Sequence, residues 1–352
     1  MNNVYFLKNA KIVPYSLDCR EVYDNYIHGI VHDDLTSSVR GLVRGDNKKL
    51  LINENRLAEV HTTLTYKHEP GTCFYIGPFI NQFGHLITQT LSRAWAYNEY
   101  KDIVDKIIIL GRSTNDTIEK LPKHVLDLFD FFNLDYDKIL FVTDPVQIEK
   151  LIAPAQSHGI GFREPWHKKE FSYFYNKGQY TDDNLPKKIF ISRRFFKLKG
   201  RLAGLDVVAE VLKKNNYTEV FPEKLSLEQQ IKLFYNASHI IAEEGSALHT
   251  LDLIPEIKAK VFLISRRKNY PTFIDLIKRV TSETYIFDDV QIIDTELREA
   301  NALSVSFSLH TLIHRLKEYS FITDDYFSQS ELNNEILKDI TGFYKSKESQ
   351  TQ

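Results

Sequence analysis

Short apolar runs alternate with amphipathic stretches along most of the chain, and this alternation predicts a mixed α/β fold. In the first half, the segments 106–110 and 138–142 are continuous apolar runs, which are typical of buried parallel strands. The apolar positions of 84–100 and 118–132 recur instead at helical spacing. The pattern therefore predicts strands and helices that follow one another along the chain.

The second half repeats this alternation more regularly. Its apolar runs predict strands at 188–192, 219–221, 239–242, 260–264 and 283–287, and its periodic stretches predict helices at 205–215, 226–235 and 246–254. Ser226 followed by Gln229 has the spacing of a capping box, which predicts the start of one of these helices. Two further helices are expected at 307–319 and 331–343.

The stretch 157–184 has no regular period and separates the two series. We interpret it as a linker or functional loop, so the pattern predicts two α/β domains with a cleft between them. The expected boundaries are 1–180, 181–300 and a C-terminal helical part, 301–352, that packs back on the cleft side or on the first domain.

The composition is that of a folded protein with no strong charge. Of 352 residues, 43% are hydrophobic and 26% are charged, and the net charge of −2 provides no basic field for nucleic acid. Cys19 and Cys73, the only cysteines, are too few for a four-thiolate zinc site or a disulfide framework. Neither a signal peptide nor an apolar run of ~20 residues is visible, so we expect a cytoplasmic protein that could associate peripherally with a membrane.

The first candidate for chemistry is a basic segment directly after a predicted buried strand. Arg193 and Arg194 follow the strand, and Lys197, Lys199 and Arg201 come next. Ligands of an open parallel sheet bind beyond the carboxyl ends of its strands, and guanidinium groups match phosphate oxygens. The alternative is a solvated basic loop, which would have the same composition. The position of this basic segment after a buried strand is what favours a phosphate site.

The second candidate is the turn after the strand 239–242. Gly245 allows close backbone approach or a positive φ, and Ser246 is a suitable N-cap for the next helix. The N–H groups of a helix start form an anion site, although Glu243 and Glu244 would repel phosphate. One of these carboxylates is expected to accept hydrogen bonds from sugar hydroxyls, and simple helix capping is the alternative.

The third candidate is a histidine at the expected start of the helix 84–100. A neutral imidazole at His85 would be suited to remove a proton from a sugar hydroxyl, because its unperturbed pKa is ~6.5. Asn81 and Gln82 are candidates for binding an acceptor, and so is His158 in the unpatterned stretch. The alternatives are structural hydrogen bonds and turns. Asp135 and Asp137 have a metal-binding spacing but precede a strand, so we interpret them as a turn and predict no metal site.

Taken together, three of these segments resemble glycosyltransferase family 61, in its bacterial branch associated with capsule or lipopolysaccharide. They are Asn-Gln-Phe-Gly-His-Leu-Ile-Thr-Gln-Thr-Leu-Ser-Arg at 81–93, Ile-Ser-Arg-Arg at 191–194 followed by Arg201, and 221–249, which is the most specific. The resemblance covers about residues 70–265. It departs from the family at Gln89, where an acidic residue is frequent, and at Thr250, where asparagine is frequent.

The resemblance implies a GT-B fold, in which two Rossmann-like domains face a central cleft. It also implies inverting transfer from a nucleotide sugar to a glycan or glycolipid acceptor, with no cofactor and no essential metal. The domain 1–180 would bind the acceptor and 181–300 the donor, with His85 as the base and Glu244 as the second choice. The expected donor-binding residues are Arg193, Arg194, Lys199, Arg201, Glu223, Gly245, Ser246, Ala247 and His249, and the expected acceptor-binding residues are Asn81, Gln82 and His158.

Two other function classes fit the same sequence. One is a non-catalytic nucleotide- or glycan-binding protein, which the neutral Gln89 keeps open. The other is a different group transferase acting on polysaccharide, for example one that adds an acidic ketal. A nucleic-acid partner is not expected, because the net charge is −2.

Overall fold

The computed structural model describes residues 3–14, 28–32, 39, 43–44, 49–50, 54–113, 115–164, 166, 180–195, 200–268, 271–293, 303–306 and 308–351. It divides the chain into two compact units, Met1–Asn176 and Lys177–Gln352. Both units contain sheets and helices, which confirms the mixed α/β fold predicted from the sequence.

Unit 1 is built on a six-stranded mixed sheet in the order β2-β1-β8-β5-β6-β7. The pairs β8–β5, β5–β6 and β6–β7 are parallel, whereas β1 is antiparallel to both β2 and β8. Its elements are β1 (Val4–Val13), β2 (Gly29–Val31), β3 (Val43–Arg44), β4 (Lys49–Leu50), α1 (Glu54–Thr63), β5 (Lys67–Pro78), a composite helix (83–100), β6 (Lys106–Leu110), α2 (Lys123–Phe131), β7 (Ile139–Val142), β8 (Val146–Pro154), β9 (His158–Gly159) and β10 (Phe162–Arg163).

The segment 118–132 is helical only in part. It begins with a 3₁₀ turn, Ile118–Lys120, and α2 starts after Pro122, whose ring is preset for a helix start. Tyr136–Lys138 is another 3₁₀ turn, in agreement with our interpretation of Asp135 and Asp137 as turn residues.

The composite helix changes its geometry along its length. Its parts are the α-helical turn Phe83–His85, the π-helical turn Leu86–Thr90, the 3₁₀ segment Leu91–Ala96 and the α-helical turn Tyr97–Tyr100. The Thr90 hydroxyl donates to the Pro78 carbonyl at 2.7 Å and accepts from the Ile80 N–H at 3.1 Å. These bonds tie the π turn to the end of β5, and π turns of this kind are frequent at functional sites.

Unit 2 is built on a five-stranded sheet in the order β12-β11-β13-β14-β15, with every pair parallel. Its elements are β11 (Lys188–Ile191), α3 (Leu205–Lys214), β12 (Thr218–Val220), α4 (Leu227–Asn236), β13 (His239–Glu243), β14 (Lys260–Ile264), α5 (Pro271–Val280), β15 (Thr284–Phe287), β16 (Gln291–Ile292), β17 (Ser304–Val305), α6 (Leu309–Glu318) and α7 (Gln329–Thr351), with 3₁₀ segments at Pro222–Lys224 and Ser246–Leu253.

The order of these strands identifies a switch point in unit 2. The first strand along the chain, β11, lies between the second, β12, and the third, β13. Connections therefore leave β11 and β13 in opposite directions along the sheet. In a doubly wound sheet of this order, ligands bind at the carboxyl ends of those two central strands.

The capping box predicted for α4 is present. The Ser226 hydroxyl accepts from the Gln229 N–H at 3.3 Å, and the Gln229 side chain accepts from the Ser226 N–H at 2.9 Å. This reciprocal pair satisfies two of the N–H groups that a helix start leaves unpaired.

The C-terminal helices pack into unit 2. Leu309, Leu312 and Leu316 of α6 share one apolar core with Phe190, Phe262 and other strand residues. The Asp339 carboxylate of α7 accepts from the Gly204 N–H, directly before α3. The helices α6 and α7, which lie in the segment that we separated as 301–352, therefore pack on unit 2. Within the described part of the chain, no helix combines the length and apolar character needed to cross a membrane.

Candidate active site

The carboxyl ends of β11 and β13 bring the two donor-side segments together. Ile191 of β11 pairs with Ala242 of β13, so the residues that follow each strand leave the sheet side by side. The Arg193 N–H donates to the Glu243 carboxylate at 2.7 Å, which links the two segments directly. The segments that the sequence analysis selected separately thus form one site at the switch point.

Arg193 lies directly against Gly245. A Cβ atom placed on Gly245 would be 2.5 Å from Nη1 of Arg193 and 3.2 Å from its Cδ, so any other residue here would require this side chain to move. The backbone φ of Gly245 is −177°, which any residue adopts. Of the two reasons considered for this glycine, close approach therefore applies and a positive φ does not.

The environment of Arg193 is buried and mixed in charge. Its Nε donates to the Gly200 carbonyl at 2.8 Å. Burial lowers the pKa of Arg193, whereas Glu243, Glu223 and Glu244 act to raise it. Glu223 acts on Arg193 from the 3₁₀ turn Pro222–Lys224, where it is exposed to solvent.

Glu244 is locked in place by the segment after β14. Its Oε2 accepts from the backbone N–H groups of Arg266 and Arg267 at 3.0 and 3.2 Å, and its Oε1 accepts from Nε of Arg267 at 2.6 Å. Both oxygens of this buried carboxylate are therefore occupied by hydrogen bonds from Arg266 and Arg267. This geometry favours a structural role for Glu244 over that of a base.

Glu243 is also buried but differs from Glu244 in its partners. Burial raises the pKa of Glu243, against the effects of the Arg193 N–H and of the charges of Arg193, Arg201 and Arg266. Its Oε1 accepts from Arg193, and its Oε2 has no hydrogen-bond partner among the described residues.

The segment after Gly245 differs from the expected capped α-helix. Ser246–Leu253 is a 3₁₀ segment, Gly245 occupies the N-cap position, and no side chain caps it. Ser246 is exposed and Ala247 is partly exposed, so both face solvent near Arg193. The prediction that the Ser246 hydroxyl caps the helix is therefore wrong, because Ser246 is the first residue of the helical turn.

His249 is placed away from solvent. It is buried, its Nδ1 donates to the Asp252 carboxylate at 2.9 Å, and its ring centroid lies 5.2 Å from that of Phe273. The prediction that His249 binds the donor is not supported by this position, because its side chain packs in the core of unit 2.

Arg194 and Arg201 are held by carboxylates on the side of the sheet where α3 begins. Nε of Arg194 donates to Asp206 at 2.7 Å, and its Nη1 donates to Glu219. Arg201 is only 3% exposed and donates to Asp206 and Asp339, both at 3.1 Å. These ion pairs favour a structural role for Arg194 and Arg201 over the predicted phosphate binding. Lys199 lies outside the described residues.

Unit 1 carries the candidate base. His85 is partly buried, and its Nδ1 lies 2.8 Å from Oε1 of Gln89. An amide oxygen only accepts, so Nδ1 carries the proton and the lone pair of the neutral ring is on Nε2. Gln89 thus fixes the tautomer in which Nε2 can accept a proton. As a neutral partner, it orients the ring without the charge that a carboxylate would supply.

The π turn positions this pair. A Cβ atom on Gly77 of β5, whose φ is +139°, would lie 3.1 Å from the Thr90 carbonyl and 3.3 Å from that of Gln89. Arg93, one turn further along, is fully buried with its guanidinium 5.5 Å from the centroid of the Tyr75 ring. Close packing on both sides of Gln89 therefore limits the movement of the His85–Gln89 pair.

The three acceptor candidates fall into two groups. Asn81 and Gln82 are exposed just before the composite helix, with the Asn81 carbonyl accepting from Nε2 of His124 at 2.8 Å. His158 is 0% exposed and its Nδ1 lies 2.8 Å from the Ser157 hydroxyl. This position does not favour the predicted contact of His158 with an acceptor, because its ring is enclosed within unit 1.

Sequence reasoning missed Arg266 and Arg267. They follow β14 as Arg193 and Arg194 follow β11, in the segments Lys-Ile-Phe-Ile-Ser-Arg-Arg at 188–194 and Lys-Val-Phe-Leu-Ile-Ser-Arg-Arg at 260–267. This repeated strand–Ser-Arg-Arg pattern is the signal that could have found them.

A comparison with protein families identifies the class of protein. The model of the family described as Glycosyltransferase 61 matches residues 83–262, just over half of the chain. The protein is therefore a glycosyltransferase. It belongs to glycosyltransferase family 61, and the matched region includes His85, Arg193 and Gly245. No curated protein matched the sequence in a direct comparison.

Of the three function classes that the sequence left open, the family supports glycosyl transfer. Among the residues that the structure describes, no three or more His, Cys, Asp or Glu side chains are grouped as metal ligands. The expectation that the reaction needs no metal stays a prediction.

Proposed function

We propose that the protein is an inverting glycosyltransferase that moves a sugar from a nucleotide sugar to a hydroxyl group of a surface glycan, in capsule or lipopolysaccharide biosynthesis. The observation that carries this proposal is the contact between the Arg193 guanidinium and Gly245 at the switch point of unit 2. A permanent cation beside a glycine turn at the carboxyl ends of parallel strands is suited to the phosphates of a donor.

The proposed reaction is a single displacement. The acceptor oxygen forms a bond to the anomeric carbon while the bond from that carbon to the phosphate oxygen breaks. The electron pair of the broken bond stays on the nucleoside diphosphate, whose negative charge increases. Arg193 and the amide groups near Gly245 stabilise that charge, and such preorganised donors give large rate effects.

The proton of the acceptor hydroxyl goes to Nε2 of His85. The hydrogen bond from Nδ1 to Gln89 supports this assignment, since it leaves the lone pair of the neutral ring on Nε2. Asn81 and Gln82, exposed before His85, are proposed to bind acceptor hydroxyls. We further propose that the chain has the GT-B arrangement and that the reaction needs no metal. We also propose that the protein associates peripherally with the cytoplasmic side of the membrane.

The experiment replaces the proposed base. His85→Ala should lower kcat for sugar transfer ~10²- to 10⁴-fold, the usual contribution of a general base, while nucleotide affinity stays the same. The donor is first identified from a panel of nucleotide sugars by thermal shift, because a ligand that binds only the folded state raises its Tm.

His314→Ala serves as the matched control, because His314 is an exposed histidine on α6. It should transfer sugar at the wild-type rate. Wild-type turnover by His85→Ala would remove His85 from the mechanism, and failure of every nucleotide sugar to bind the wild-type protein would refute the proposed function.

A further inference from the structure

We propose that Arg266 is a second phosphate-binding residue of the donor site, acting with Arg193 on the same diphosphate. This inference rests on the proposed function and extends it, since neither the sequence pattern nor the family resemblance assigned a role to Arg266. It concerns the segment Ser265–Arg266–Arg267, which follows β14.

The sheet places this segment at the same edge as Arg193. β14 pairs with β13 so that Ile264 lies opposite Glu243, and β11 pairs with the other side of β13 so that Ile191 lies opposite Ala242. The two Ser-Arg-Arg segments therefore leave the sheet on either side of the turn at Gly245. Because all three strands are parallel, their carboxyl ends meet at one edge.

The backbone of Arg266 is held firmly. Its N–H donates to the Glu244 carboxylate at 3.0 Å, and its carbonyl accepts from the Ser304 hydroxyl at 2.6 Å. In the side chain, Nε donates to the Glu244 carbonyl at 2.7 Å. The guanidinium is thus fixed in orientation before any ligand binds, which is the arrangement that functional sites need.

One end of this fixed guanidinium is unsatisfied. The Arg266 side chain is only 4% exposed, and Nη1 has no hydrogen-bond partner among the described residues. Buried charged donors in folded proteins are nearly always paired, so an unpaired donor calls for a missing ligand, ion or water. The unpaired Oε2 of Glu243 belongs to the same group of charges, because Arg266 acts on the pKa of Glu243.

The charge around Nη1 selects an anion over a neutral ligand. Burial lowers the pKa of Arg266 to about 10, and the positive charge of Arg193, the next largest cause, acts in the same direction, whereas Glu244 and Glu243 act to raise it. Two guanidinium groups near each other in a buried place repel, and the Glu244 carboxylate is already bound by Arg267. A ligand with two negatively charged groups would relieve the repulsion and give Nη1 of Arg266 a partner, as a diphosphate does.

The test compares Arg266→Gln and Arg266→Lys with the wild-type protein in the full chain. Binding of inorganic pyrophosphate, UDP, GDP and ADP is measured by calorimetry. We expect Arg266→Gln to weaken binding of pyrophosphate and of the preferred nucleoside diphosphate at least 10-fold. Arg266→Lys should fall between it and the wild type, because lysine keeps the charge without the paired donors. Arg315→Gln, at an exposed arginine on α6, should bind as the wild type does.

A thermal melt separates this role from a structural one. If Arg266 binds phosphate, Arg266→Gln loses most of the increase in Tm that pyrophosphate causes in the wild type, whatever its Tm without ligand. A lower Tm without ligand, together with wild-type affinity in the folded protein, would overturn the inference and assign Arg266 to structure.

The two proposals fail in different ways. If the wild-type protein binds neither pyrophosphate nor any of the three nucleotides, the proposed function and this inference are both overturned. If the wild type binds and Arg266→Gln binds within twofold of it, only the role of Arg266 is overturned.

Discussion

Arg193 and Arg194 are adjacent in the chain, yet they lie in two different electrostatic environments. Arg193 lies against Gly245 at the switch point, and burial lowers its pKa. Arg194 points to the start of α3, where burial also acts to lower its pKa, but the carboxylates of Asp206 and Glu219 outweigh this effect and raise it. The comparison shows that a run of arginines after a strand does not make each of them a phosphate ligand, since the acidic partners decide.

Two larger regions of unit 2 also differ in whether their charged groups are paired. On one side of β11, Arg194, Arg201, Asp206 and Asp339 form a network in which each charge has a partner of opposite sign. At the carboxyl ends of β11, β13 and β14, Arg193 and Arg266 repel one another, and Nη1 of Arg266 has no hydrogen-bond partner in the part of the chain that the structure describes. The first region is suited to hold the fold together, and the second is suited to bind an anion.

The largest effect is expected from a substitution in the ion-pair network of Arg194, Arg201, Asp206 and Asp339. Arg201→Ala would leave Asp339 and Asp206 without the buried cation that bridges them at 3.1 Å, and removing one partner of a buried ion pair costs ~3–5 kcal/mol of unfolding free energy. Urea unfolding measures this loss. The folded protein should still bind nucleotide as the wild type does, so a selective loss of nucleotide affinity would place Arg201 in the donor site after all.

A smaller effect is expected at Gly245. The added Cβ of Gly245→Ala would lie 2.5 Å from Nη1 of Arg193, so the guanidinium must move. We expect nucleoside diphosphate affinity to fall about 10-fold, which corresponds to ~1.4 kcal/mol.

A double-mutant cycle sharpens this result. In an Arg193→Gln background the shorter side chain removes the clash, so Gly245→Ala should have little further effect. If the two changes add independently, Gly245 has a role apart from making room for Arg193.

Many strands and helices of unit 2 could be predicted from the sequence, because the residues that determine them are close together in the chain. The apolar runs that became β11, β13 and β14 end where the structure ends them to within one residue, and the Ser226–Gln229 capping box lies within four residues. The mixed α/β fold followed from these patterns. A strand that is buried on both faces needs apolar residues throughout, which makes it visible in the sequence.

The missed features depend on partners that are distant in the chain. Asp339 bonds to Arg201 across 138 sequence positions, and no spacing rule shows this contact. The π turn at 86–90 depends on the bond from Thr90 to Pro78, so helical spacing alone predicted a regular helix. The 3₁₀ segment Ser246–Leu253 begins after the extended Gly245, whose carbonyl accepts a hydrogen bond from the Leu248 N–H.

The most direct test of the account compares Arg193→Gln with Arg194→Gln in affinity for a nucleoside diphosphate, measured by calorimetry at one salt concentration. A hydrogen bond to a charged group contributes ~1.5–3 kcal/mol, so Arg193→Gln should weaken binding ~10- to 150-fold. Arg194→Gln should bind within about twofold of the wild type, since Nε and Nη1 of Arg194 are already bound by Asp206 and Glu219. Equal losses in the two variants, or a larger loss in Arg194→Gln, would contradict the assignment of the donor site to Arg193 and Gly245.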